Sequence, residues 1–276
     1  MNHKLRAFKA KKSLGQNFLF DANIIRKIIQ LFAPQPNDFV LEIGPGFGAL
    51  TENLLQSGCH YTGIEIDERL IFELQERFSD YENFTLRHVD FRKLDLSQLS
   101  SVHVSIRIIG NIPYHITSSI VFSAFMHHNL IADMMLMMQK EVAERVVAGH
   151  GCKDFGILSV ISQTYAQPEI VLTVPPTVFI PRPDIESAIV RWDFTQKQER
   201  QPEDPEFFRI FVRTIFNQRR KILRNTLKKM GDVVLFENEK TIDLQRRPEE
   251  LSVLEIIDLC NAFKAYSFPN QTGSDR

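Results

Sequence analysis

Apolar residues change period several times along the chain, and each change marks an element. Ile24, Ile25, Ile28, Ile29 and Phe32 recur at helical spacing. Asp21 stands where an N-cap belongs and Pro34 and Pro36 follow, so the pattern predicts a helix over Ala22 to Phe32. Phe39 to Ile43 is then a short apolar strand that runs into glycines. The same reading gives a helix from about Ala49 to Ser57, ended by Gly58, a strand from His60 to Ile64 and a helix from Glu68 to Phe78. Strands follow at Phe84 to Val89 and Val104 to Ile109, then a helix at Thr117 to His127. Met134 to Met138 is a fifth strand whose methionines serve as core packing. A helix near Gly156 to Tyr165 precedes strands near Glu169 to Val174 and Glu186 to Phe194, which are expected as a hairpin-like addition at one edge.

Strands alternating with helices at this spacing mean βαβ units, hence an α/β fold with a doubly wound, mainly parallel, seven-stranded sheet. Residues from about Thr195 to Pro205 are polar and proline-bearing and read as a linker. Glu206 to Phe263 is helical in pattern. The expected division is therefore a sheet domain over 1–195 and a small helical domain over 206–276.

Composition narrows the class. Of 276 residues, 43% are hydrophobic and 24% charged, as in an ordinary globular protein. No apolar run reaches the roughly 18 residues that a membrane span needs. The start is basic (Lys4, Arg6, Lys9, Lys11, Lys12) and lacks the apolar region of a secretory signal. Cys59, Cys152 and Cys260 are odd in number and lack CxxC spacing. They are expected as small buried or half-buried thiols in a reducing, cytoplasmic compartment, with no metal or disulfide framework. Net charge is only -1, yet Phe207 to Gly231 contains no acid and carries Arg209, Arg213, Arg219, Arg220, Lys221, Arg224, Lys228 and Lys229. Such a block is either a solvated helix face or a surface for phosphates.

The segment Glu42-Ile43-Gly44-Pro45-Gly46-Phe47-Gly48-Ala49 follows the first sheet strand and opens a helix. Glycines let backbone approach a ligand, and a helix N-terminus offers unpaired N–H groups. In a doubly wound sheet this turn lies at the crevice where nucleotide-like ligands bind. Glu65, 21 residues after Gly44, can accept from both hydroxyls of a ribose. These features alone fit either a nicotinamide dinucleotide or S-adenosylmethionine. Two residues favour the latter: Glu42 sits near the expected amino-acid end of the ligand, and Asp90 can accept from an adenine amine. Asp90 can equally cap the turn that follows it.

Gly110-Asn111-Ile112-Pro113-Tyr114 ends the fourth strand, beside the glycine turn. The lone pair of an adenine amine is delocalised into the ring, so the amine is a poor nucleophile. The Asn111 side-chain oxygen and the Ile112 carbonyl can accept its two N–H bonds and turn the lone pair outward. Pro113 stiffens the turn and adds no donor. Tyr114 offers a flat face for an extruded base.

With these residues in place, the chain resembles the ribosomal RNA adenine dimethyltransferase family. The resemblance covers nearly the whole chain. It rests on Lys12-Ser13-Leu14-Gly15-Gln16-Asn17-Phe18-Leu19, on Glu42 to Thr51, on Gly63-Ile64-Glu65-Ile66-Asp67 and Asp90, on Asn111 to Tyr114, and on Phe179-Ile180-Pro181-Arg182-Pro183-Asp184-Ile185-Glu186-Ser187. It implies a Rossmann-like class I methyltransferase, with S-adenosylmethionine bound by Asn17, Leu19, Gly44, Glu65, Asp90 and Asn111. Asn111, Pro113, Tyr114 and Phe179 would form the catalytic side, Phe179 as a second aromatic wall. The implied substrate is a pair of adjacent adenines near the 3′ end of 16S rRNA in the 30S subunit, each dimethylated, and the implied enzyme is a monomer. The basic C-terminal domain resembles the family's rRNA-binding appendage. The chain departs from the family's usual pattern at His115, expected to make local hydrogen bonds, and at Ser119. A large-subunit rRNA dimethyltransferase shares the cofactor loop and tetrapeptide. A nucleic-acid-binding factor on the same fold is a second alternative, and a nicotinamide oxidoreductase fits only the loose glycine fingerprint.

Overall fold

The computed structural model describes residues 8–11, 14–99, 105–231, 233 and 242–267. The expected basic residues Lys4, Arg6 and Lys12, Ser13 of the first motif, and the strand start at Val104 lie outside these. The chain packs as two compact units. One comprises the residues up to Ala143 with Gln167–Thr195, the other Glu144–Ala166 with the residues from Gln196 onward. A boundary drawn at 195 in linear sequence thus differs from the packing, which groups residues 144–166 with the C-terminal helices.

The first unit is built on seven strands: β2 (Phe39–Ile43), β3 (His60–Glu65), β4 (Phe84–His88), β5 (Ile106–Asn111), β6 (Ile131–Gln139), β7 (Gln167–Val174) and β9 (Ser187–Asp193). Their order is β4-β3-β2-β5-β6-β9-β7. β9 runs antiparallel to both neighbours and the other pairings are parallel, so the expected edge hairpin is the β9–β7 pair. Two short strands absent from the sequence reading, β1 (Phe18–Leu19) and β8 (Phe179–Ile180), pair antiparallel as a separate ribbon.

The central strands bury both faces, which is why they read as continuous apolar runs: Val40, Leu41, Ile106, Ile108 and the methionines Met134 to Met138 are at most 2% exposed. Helices α1 (Ala22–Phe32), α2 (Thr51–Gln56), α3 (Glu68–Phe78) and α4 (Thr117–Met126) cover the sheet. In α1, Asp21 accepts from the N–H groups of Asn23 and Ile24, the cap its position predicts, and Ile25, Ile28 and Phe32 face inward. Below the sheet Arg107 is a staple. It pairs with Asp133 and Asp38, donates to the Phe32 and Ala33 carbonyls, and stacks 4.4 Å over the Phe32 ring.

An unpredicted helix, α5 (Lys140–Val147), follows β6. The second unit contains α6 (Ile157–Tyr165), α7 (Pro205–Phe216), α8 (Leu223–Leu227) and α9 (Val253–Ser267). Asp204 caps α7 through the Phe207 N–H at 3.0 Å, and Pro205 starts it, so the expected linker ends where a helix signal begins. Phe208, Phe211, Val212, Ile215 and Phe216 form its buried face. Cys59 and Cys260 are buried thiols as expected, but Cys152 is exposed, on a glycine-flanked turn rather than in a core.

Candidate active site

The β2–α2 turn and the ends of β3 and β5 enclose a cavity of about 340 Å³. Register brings them together: Ile43 pairs with Ile64 on one side and with Gly110 on the other. That approach demands glycine at 110, because a Cβ there would stand 2.6 Å from the Ile43 carbonyl oxygen. Gly46 is similarly constrained. Its φ is +60°, a Cβ would meet the Phe18 ring at 3.2 Å, and its N–H donates to Glu65 Oε2 at 3.2 Å.

Two buried carboxylates face this turn. Glu65, the last residue of β3, is 6% exposed and accepts from the Ile66 and Asp67 N–H groups at 2.8 and 3.0 Å as well as from Gly46. Burial pushes its pKa up, against the lowering effect of those three bonds. Glu42 is 2% exposed, and its Oε2 accepts from Thr51 Oγ1 and from the Tyr61 hydroxyl, each at 2.7 Å. Burial raises its pKa to about 7, with neighbouring Glu65 adding to the rise.

Asp90 does both things its position allowed. It lines the cavity, and it N-caps the short turn Phe91–Lys93 through the Arg92 N–H. The Arg92 guanidinium grips it as well and holds its pKa below the usual carboxylate range.

The opposite wall is Asn111 to Tyr114. β5 runs two residues further than its apolar run suggested, so Asn111 is its last residue. Asn111 Nδ2 donates to the Asn17 carbonyl at 2.9 Å, which turns Oδ1 away as the free end of the amide. The Tyr114 hydroxyl lies 2.6 Å from Ser187 Oγ, and burial raises the pKa of the phenol. Asn17 and Leu19 come from the N-terminal arm, which is fastened at Asp67. That side chain is fully buried and takes Gln16 Nε2 at 2.9 Å, Lys11 Nζ at 3.2 Å and the Arg69 guanidinium, and together they push its pKa well down. Arg69 also stacks on Phe8, whose ring meets Phe18 and Phe47 edge-on.

Of the residues expected at the site, Asn17, Leu19, Gly44, Glu65, Asp90, Asn111, Pro113 and Tyr114 all line the cavity. Phe179 does not. It is 2% exposed within the hydrophobic core, on β8 opposite Leu19, so it stands behind the arm rather than on the wall. Sequence reasoning passed over Asp67, Thr51, Tyr61 and Ser187 as functional groups. Thr51, Asp67 and Ser187 lay inside recognised motifs, but the arm partners of Asp67 and the Tyr114 partner of Ser187 are remote in sequence. His115 is exposed beside Gly15, and Ser119 is exposed on α4.

A parallel sheet with a single reversed strand next to one edge, carrying a glycine turn and an acid at the end of the second strand, is the architecture of a class I, Rossmann-like methyltransferase. The family model described as ribosomal RNA adenine dimethylase matches residues 7–265, and the chain belongs to that family. A curated relative, ribosomal RNA small subunit methyltransferase A of Saccharophagus degradans, is 40% identical over 93% of this chain and 96% of its own. Among solved structures, a dimethyladenosine transferase from Plasmodium falciparum superposes with a TM-score of 0.71 at 25% identity, covering 88% of this chain and 95% of that one. The 23S rRNA methyltransferase ErmE gives a TM-score of 0.65 at 25% identity, over 88% of this chain and 98% of its own.

Proposed function

We propose that the chain transfers methyl groups from S-adenosylmethionine to the N6 amine of two adjacent adenines near the 3′ end of 16S rRNA, dimethylating each. The observation that carries this reading is the Asn111 amide, pinned through Nδ2 to the Asn17 carbonyl so that Oδ1 is the acceptor left for an amine. The small-subunit name of the Saccharophagus relative favours this RNA over the 23S substrate of ErmE.

The residues present fit the cofactor. Glu65 is a buried carboxylate already oriented by three backbone N–H groups, and two donating ribose hydroxyls would relieve its desolvation. Asp90 and the partly exposed Ile66 would receive the adenine, and Glu42, Gly44 and the arm residues Asn17 and Leu19 the rest. When bound, S-adenosylmethionine supplies an electrophilic methyl group on a sulfonium. On the substrate side, Asn111 Oδ1 and the Ile112 carbonyl would accept hydrogen bonds from the N6–H groups and rotate the nitrogen lone pair out of conjugation toward the methyl group, and the proton would then leave the acidic methylated ammonium for water. Pro113 keeps that carbonyl in place, and Tyr114 stacks on the base. The acceleration comes from position and from acceptors aimed in advance, not from a strong base.

The second unit supplies the RNA-binding surface in this reading. Arg209, Arg213, Arg220, Lys221, Lys228 and Lys229 are exposed, while Arg219 is held by Glu249. Among the described residues no helix is long and apolar enough to cross a membrane. The protein is proposed to act as a monomer on the 30S subunit in the cytoplasm.

The test is mass spectrometry of rRNA after incubating 30S particles, unmethylated near the 3′ end of their 16S rRNA, and in parallel naked 23S rRNA, with the protein and S-adenosylmethionine. Two dimethyladenines near the 3′ end are expected. Label appearing only in 23S rRNA would transfer the assignment to the large subunit.

A further inference from the structure

Any aromatic ring can stack on a base, so the hydroxyl of Tyr114 needs its own explanation. That hydroxyl lies 2.6 Å from Ser187 Oγ, across 73 residues of sequence. Ser187 is fully buried and opens β9, in register with Gln139 of β6 and Val174 of β7. It is braced from the preceding residue too, because the Glu186 carbonyl accepts the Lys140 N–H at 3.1 Å and the Glu186 carboxylate pairs with Lys140 Nζ at 2.8 Å. Ser187 is therefore fixed on both sides by the sheet. Tyr114 is not. It begins a single 3₁₀ turn after Pro113, with no side-chain cap, on the cavity wall. A ring so placed swings about its Cα–Cβ bond unless its far end is held. A phenol O–H prefers the ring plane, so one bond at the tip restrains the tilt of the ring as well as its direction.

We propose that Ser187 is a positioning residue for the reaction: its hydroxyl holds the Tyr114 ring so that its face is presented to the target adenine before the base arrives. This rests on the function proposed above. The hydroxyl pair does not touch the reacting atoms, and its contribution is preorganisation of the stacking face. The half-buried phenol stays protonated through neutral pH, since burial raises its pKa, and so remains able to donate.

A double-mutant cycle of Tyr114→Phe and Ser187→Ala tests this, read as kcat and KM for RNA, cofactor Kd and melting temperature. Each single variant is expected to lose about tenfold in kcat with cofactor Kd unchanged, and the double variant to be no worse than either single. Equal multiplicative losses would mean that Ser187 acts through the sheet and not through the ring, and would overturn the role. Tyr114→Phe is isosteric, so it decides alone if Ser187→Ala does not fold: wild-type kcat in Tyr114→Phe overturns the proposal. Absence of methylation by the wild-type protein overturns the function proposed above, and this role with it.

Discussion

The two walls of the cavity are made in different ways. The glycine-turn wall, proposed above to hold the cofactor, is fixed by backbone N–H groups around one buried carboxylate. Gly46 N–H meets Glu65, Glu65 meets the N–H groups of the two residues after it, and every part lies on adjacent strands or the turn between them. The wall proposed for the substrate is held by side chains that reach far along the chain, Asn111 to the Asn17 carbonyl across 94 residues and Tyr114 to Ser187 across 73. The glycine turn and Glu65 are fixed once β2 and β3 pair. The second wall needs the reversed strand as well, and the arm borders both walls through Asn17 and Leu19. Ligand binding can thus survive changes that abolish turnover.

The largest effect is expected where the walls touch. Gly110→Ala would force a Cβ to 2.6 Å from the Ile43 carbonyl oxygen, which must part β2 from β5. A loss of about 3 kcal/mol in urea unfolding is expected, with cofactor binding and activity lost together. Retained stability would show that the walls do not share a rigid seam. Next comes Asn111→Ala, which removes the acceptor but leaves the glycine turn alone. Cofactor Kd should stay within about tenfold while kcat falls by about a hundredfold or more. Near-normal turnover would refute the asymmetry at its centre.

A third change sharpens the comparison by pH. The pKa of Glu42 is raised from 4.5 to about 7 by burial, so the protein prefers this carboxyl protonated. The stability it contributes is complete below its unfolded pKa and is lost as pH rises through about 7. Glu42→Gln should flatten that loss, gaining on the wild type by about 1–3 kcal/mol between about pH 5 and pH 8.5. Parallel stability curves for the two proteins would show that Glu42 is ionised throughout. The smallest effect concerns the basic block. Arg219 already faces Glu249, so Arg219→Gln should flatten the salt dependence of rRNA binding less than Lys221→Gln does. Equal slopes would mean that the ion pair opens on RNA.

The same asymmetry explains what could be read in advance. Glycine spacing, the acid 21 residues on and the apolar strands are local signals, so the glycine turn with Glu65 and the seven strands were legible, along with the Asp21 helix start, whereas Asp204 was read as linker. β1 and β8 are two residues each and have no period to detect. Asp67 stood only as the last residue of a motif, and its pairing with Gln16 and Lys11 exists only after folding. Phe179 sits in a motif that resembles a base-stacking wall, yet its pairing opposite Leu19 buries it behind the arm. Residues 144–166 pack with helices that come 40 residues or more later, which no composition shift announces.

The pairing of Phe18–Leu19 with Phe179–Ile180 also orders events during synthesis. Phe18–Leu19 precede their ribbon partner by about 160 residues, whereas Asp67, which fastens the arm through Lys11 and Gln16, follows within about 60. A nascent chain can therefore dock the arm at Asp67 first and close the β1–β8 ribbon, with the Tyr114–Ser187 contact, last.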